Sequence, residues 1–244
     1  MEEYLAFISC DTAFFTPLGG KYTIMNYTLE PSEVTKRSQH RGVANFTISF
    51  PFKGLPERGL TDPKRTENMF RNMEKSVEEA KLFIAWLSVA SNSPLDLSHY
   101  GFGGSQGFGP SSHEPIDEFD RDLMIKVHHI KKDVEEGIYQ KVKRPIYESF
   151  INDMKGLRIP HDFPSLTQKL FALSEEHKEM FFDSCLSYQF ALNNMGTIPS
   201  VSLVAFVNVV ESLMRDEVSS GYCERFNVSC PNKRDVMKKI SHFF

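Results

Sequence analysis

The sequence predicts an α+β protein that is mainly α: a small N-terminal antiparallel sheet followed by a helical bundle built on a long antiparallel helix hairpin. Three observations carry this. Residues 4–10, 21–30 and 43–53 read as short strands; the latter two alternate apolar and polar side chains, are rich in β-branched and aromatic types, and are bounded by Pro and Gly. Residues 62–90 carry apolar side chains at helical spacing behind a strong start signal. Residues 174–214 hold two long apolar patterns with a short break between them, and a short turn between two helices makes them antiparallel neighbours.

The hairpin is the firmest element. Phe181, Cys185, Tyr188 and Leu192 fall three and four apart, on one helical face. Gly196 supplies a stop, with Pro199 just beyond. Ser200 is placed to cap the second helix, whose run Ser202–Val210 is apolar nearly all round and is expected deep in a core. Its polar positions Asn208, Glu211, Ser212 and Arg215 form one stripe. An i,i+4 ion pair is the simplest role for Glu211 and Arg215. The alternative is that Asn208 and Glu211 reach into a cleft.

Composition excludes several classes. The chain has 244 residues, enough for one large domain or two small ones, and its 41% hydrophobic and 25% charged content is that of an ordinary globular protein. Phe is frequent, 21 against 8 Tyr and 1 Trp, which points to aromatic-filled interiors. The formal charge of −4 offers no global field for nucleic acid, so such binding needs a local patch. The acidic start, Met1 to Asp11, lacks the basic and long apolar regions of a secretory signal, and no stretch has the roughly 18 apolar residues of a membrane span. Four cysteines do not make a disulfide framework in a chain this long. A cytoplasmic protein without a membrane partner is the expectation. The sequons at Asn26, Asn45 and Asn227 carry no weight in that setting.

The predicted organisation is an α+β region over 1–110 and a helical region over 111–244. In the first, Thr61-Asp62-Pro63 starts the helix, and Phe70, Met73, Val77, Ala80, Phe83, Ile84 and Leu87 make its stripe. Trp86 falls beside that stripe and is expected to anchor the helix against the sheet. A glycine-rich loop over 99–110 follows. It resembles a phosphate-cradling loop only in composition, because it follows a helix where such a loop should leave a strand. Residues 117–156 are charged and expected to be helical, interrupted near Gly137 and Pro145. A short helix from about Pro164 and a last amphipathic helix over 233–244 complete the bundle. The chain stops in apolar residues at Phe243-Phe244, so a truncated chain is expected.

Candidate chemistry is sparse. Cys223, Cys230 and His242 are too widely spaced, and one ligand short, for a structural zinc site; neither a metal nor a cofactor is expected. No Gly-x-Ser-x-Gly elbow supports Ser-His-Asp hydrolysis. Cys185 lies on the apolar face of the hairpin, as a packed small hydrophobe does. Two basic groups stand out: Lys233, Arg234, Lys238 and Lys239, and the set Lys131, Lys132, Lys141, Lys143 and Arg144. Either is a solvated helix face or a phosphate contact that weakens steeply with salt.

Residues from about 160 to 244 resemble the HEPN superfamily, specifically the Apea-like bacterial proteins. The resemblance rests on the aromatic and Ala-containing run Tyr188–Leu192, Pro199-Ser200, and Val207, Glu211 and Leu213 of the second helix. A Cys-containing loop (223–230) and the basic helix over 233–244 follow. It implies a HEPN-like bundle, a homodimer, and an RNA-associated protein of a defence or toxin–antitoxin type. The enzyme it implies, if any, is a metal-independent endoribonuclease whose site is completed across the dimer. In that family Arg and His act in one helix, His as general acid or base and Arg on phosphate charge. Arg121 and His128, with Asp122 between them, have that spacing but precede the hairpin. Arg234 and His242 are too far apart. A non-catalytic protein-interaction or ligand-sensing module that dimerises through its helices is the alternative.

Overall fold

Alternation in the N-terminal part, joined by two short segments that follow the long helix, produces one antiparallel sheet. The computed structural model describes residues 2–12, 17–33, 44–56, 61–97, 106–110, 126, 129–140, 156–157 and 159–213. The strands are β1 (Glu2–Thr12), β2 (Tyr22–Ile24), β3 (Tyr27–Pro31), β4 (Ala44–Gly54), β5 (Leu95–Leu97) and β6 (Gln106–Pro110). The order is β2-β3-β4-β1-β5, with β6 also on β1. β4 pairs with the whole length of β1, from Glu2↔Gly54 to Thr12↔Ala44. The other edge of β1 is shared: Cys10–Thr12 pair with β5 and Tyr4–Ile8 with β6.

The sheet is larger than the sequence suggests. Residues 21–30 are two strands, because Met25 adopts φ 56° and turns the chain back on itself. Part of the glycine-rich stretch is a strand: Gly107 and Gly109 sit opposite Phe7 and Leu5, where a residue without a side chain leaves room for a bulky one.

One face of the sheet carries Tyr4, Ala6, Ile8 and Cys10 of β1 and Phe46, Ile48, Phe50 and Phe52 of β4, all buried. Over it lies α1 (Asp62–Ser91), which starts after Thr61 as the Thr-Asp-Pro signal predicts. Its buried stripe is Asn72, Ser76, Ala80, Phe83, Ile84 and Leu87. Phe70, expected in that stripe, is exposed. Asn72 replaces it for a reason apolar counting does not capture: its amide donates to Leu55 O at 3.0 Å and accepts from Leu55 N at 2.7 Å, closing the end of β4 onto the helix. Phe83 stacks on Tyr27 with centroids 4.1 Å apart.

Trp86 does not lie on the sheet. It packs on Phe163 and Phe181, each with centroids 5.4 Å away, and donates its indole N–H to Thr167 Oγ1 at 3.0 Å. It thereby ties α1 to α2 (Phe163–Phe171) and α3 (Glu175–Asn194). Ser174 caps α3 by accepting from the His177 amide. One core cluster runs from the strands through α1 to Leu157, Ile159, Phe163, Leu170, Phe182 and Cys185.

α4 (Pro199–Leu213) follows a turn at 195–198 and packs on α3, Tyr188 meeting Phe206 edge-on at 5.2 Å. Pro199 opens this helix, so Ser200 lies inside it and is not its cap. Residues 129–140, expected as helix, are irregular, with a turn, bends and isolated β-bridges. His129 and Asp133 have positive φ, and Lys21, just before β2, donates its amide to Glu135 O at 3.0 Å and accepts from Gly137 N at 2.7 Å. The free backbone of an outer strand is a strong attractor for such a segment.

Tyr27 donates its hydroxyl to Glu79 Oε1 at 3.0 Å, joining β3 to α1. Burial pushes the Glu79 carboxyl above its ordinary 4.5, against the lowering influences of Tyr27 and Lys75. A carboxyl raised on folding holds its proton more tightly in the folded state, so its contribution is full below the unfolded pKa and is lost as pH rises through the folded one. The unfolding free energy from urea melts is therefore expected to lose this contribution as pH rises above the ordinary carboxyl value of 4.5, and Glu79→Gln is expected to flatten that slope.

Candidate functional site

The residues that the sequence puts forward fall mostly outside the described residues: Arg121, His128, Arg215, Lys233, Arg234, Lys238 and Lys239 all do, as do Cys223, Cys230 and His242. Glu211 is in the last turn of α4, and its side chain too lies outside the description. Asn208 is described. It is exposed, and it sits at the rim of a groove between α3 and α4.

The groove has a volume of about 520 Å³ and is lined by Leu186, Ser187 and Phe190 of α3 and Ser200, Val201, Val204, Ala205 and Asn208 of α4. None of the described residues that line it is charged. The expectation that α4 lies deep in a core is therefore corrected. Only Ser202 and Ala205 of its described side chains are buried, whereas Leu203 is 65% exposed, Val204 60% and, across the groove, Phe190 51%. The physical reason is that α4 finds one described neighbour, α3, and a helix apolar on all sides cannot hide on one contact. Composition pointed to the apolar surplus. The residues that line the groove were missed because a run of apolar residues does not say what covers it.

The groove is held on the sheet by polar ties. Gln189 Nε2 and Asn193 Nδ2, one helical turn apart on α3, both donate to Leu95 O, at 2.7 and 3.2 Å. Tyr188 donates to Asn92 Oδ1 at 2.7 Å. Asn92 occupies the left-handed conformation (φ 48°) that ends α1, which Asn tolerates better than most residues.

Other chemistry is quiet. Cys10 and Cys185 are buried free thiols. Burial pushes Cys185 up to about 12; Cys10 is also raised, by burial first and then by the Asp11 and Asp96 carboxylates. Neither is a nucleophile, since the reactive form is the thiolate. Among the described residues no group of three or more His, Cys, Asp or Glu is arranged to hold a metal ion. No described helix is long and apolar enough to cross a membrane.

The fold and groove together define an α+β protein presenting an apolar, uncharged helix-pair surface. No family model matches the chain, and no curated protein or solved structure shows significant similarity to it.

Proposed function

We propose that the chain is a protein-interaction module, in which α3 and α4 form an antiparallel hairpin whose groove receives an amphipathic helix. The single observation that carries this is the exposed apolar lining of Phe190, Val201 and Val204. Apolar side chains at helical spacing on two neighbouring helices are the usual receptor for a third helix. Asn208, as the polar group at the rim, is suited to orient the incoming backbone or side chains. The RNA-associated reading implied by the HEPN resemblance is a separate proposal. It rests on Arg121 and His128 and on the basic residues at 233–239, and the groove does not enter it.

Hydrogen exchange across residues 199–213 tests the docking reading. On an unpartnered helix, Val204→Glu replaces an exposed apolar group by a charged one and is worth no more than about 0.5 kcal/mol. On an occupied groove it buries a charge, and the whole of α4 is expected to exchange at least tenfold faster while α1 and β4 are unchanged. Identical exchange in the two proteins, together with no slowing of exchange over 199–213 when amphipathic helical peptides are added to the unaltered protein, would sink the reading.

A further inference from the structure

We propose that the helix the groove receives is α4 of a second copy of this chain, the two α4 helices lying antiparallel across a two-fold axis beside Val204. The inference rests on the docking reading and names its partner. α4 has 15 residues and so a length of about 22 Å, and no residue from Ile198 to Val210 is charged. Ser202 and Ala205 are buried, whereas Val201, Leu203, Val204 and Asn208 are exposed. Helical spacing spreads those four over nearly half the circumference of the helix. A helix apolar on two sides needs two neighbours, and α3 is the one described neighbour that α4 has. α4 thus leaves open an apolar groove and also has the apolar, uncharged outer side that such a groove receives.

The order of residues along the groove favours a copy over an unlike helix. Ser200, Val204 and Asn208 line it four residues apart, polar at both ends and apolar in the middle. A two-fold axis at Val204 sets that row against itself in reverse. Val204 meets its own copy, Val201 faces the partner's Val207, and Asn208 reaches the partner's Ser200, amide against hydroxyl. The lack of charge fits the same arrangement. A symmetric contact brings each group near its own kind, so a charge beside the axis would meet its own sign. An unlike partner is commonly selected by complementary charge, and the described lining offers none. Each α4 then lies in the other's groove, so the contact is made twice. It also draws in Leu203, which is 65% exposed and lies outside the groove. The two α4 helices become the centre of a four-helix arrangement, the buried position that a helix apolar nearly all round requires.

The test is sedimentation equilibrium of the full chain as the unaltered protein, as Val204→Glu, as Val204→Lys, and as an equal mixture of the two variants. The unaltered protein is expected to be a dimer. Each variant alone sets like charges face to face at the axis and is expected to associate at least about a hundredfold more weakly. The mixture pairs Glu with Lys and is expected to recover the dimer, which also shows that both variants are folded. A dimer that survives in both variants would overturn the proposal, as would a mixture of two folded variants that stays monomeric. A monomeric unaltered protein would overturn it too. If added amphipathic helical peptides then slow exchange over 199–213, the docking groove stands with a helix from another source. A monomer that shows neither that slowing nor any response of exchange to Val204→Glu would remove both readings.

Discussion

Phe83→Ala is expected to cost about 3–5 kcal/mol of folding free energy, the largest single effect in the molecule. Phe83 is 1% exposed and lies where three layers meet. It stacks on Tyr27 of β3 and meets Phe163 of α2 edge-on at 6.1 Å. Tyr27 in turn contacts Phe50 of β4, so the cavity left by alanine opens under the sheet and under two helices at once. Collapse into it is resisted on all sides, which puts the cost toward the upper end of the range. Against a typical total of 5–15 kcal/mol this brings the protein close to unfolding. Urea denaturation followed by tryptophan fluorescence measures it, Trp86 being the only reporter. A loss below about 1 kcal/mol would show that Phe83 is not the keystone of this packing.

Gly20→Ala is expected to be the second most damaging change, and its effect is local. A Cβ at Gly20 would lie 2.6 Å from Gly137 Cα and 2.9 Å from Glu135 O, both backbone atoms that cannot swing aside. The approach is equally tight from the other side, since a Cβ at Gly137 would enter the Tyr22 ring. The substitution must push residues 135–137 off β2 and lengthen both backbone bonds to Lys21. About 1–3 kcal/mol of overpacking, with part of two hydrogen bonds besides, is the expected cost. Gly19→Ala is the control, because its Cβ would meet only Tyr22 Oη at an ordinary 3.8 Å. Rapid exchange of the Lys21 and Gly137 amides in the first variant and not in the second is the expected result. Equal protection in both would mean that the segment is not seated by this contact.

What could be read from the sequence was decided by how far each signal is local. β4 announced itself through alternation, β1 as a short, nearly continuous apolar run, and α1 through Thr61-Asp62-Pro63. The β2–β3 hairpin was read as one strand because its turn uses Met25 and Asn26, which do not form the usual Asn-Gly signal. β5 and β6 are short, and they owe their existence to a partner far away in sequence, the open edge of β1. Asn72 and Ser76 were invisible for another reason: a polar residue is buried when a specific backbone group waits for it, here Leu55 for Asn72. At the candidate site, Asn208 was legible as a polar group facing a cleft, whereas the cleft walls were assigned to a core. An apolar helix in sequence carries the demand for a cover and not its source.

The ties from Tyr188, Gln189 and Asn193 have a mechanical consequence. Three bonds on one side of α3 end on Asn92, just past α1, and on Leu95, the first residue of β5, so α3 cannot roll about its own axis without breaking them. Rotation of the helix pair is therefore geared to β5, and through Thr12↔Leu95 to the end of β1. A torque applied at the groove arrives at the sheet as a pull on a three-residue strand. That strand is the weakest link in the train, and it sits at the end of β1 opposite the one that β6 secures.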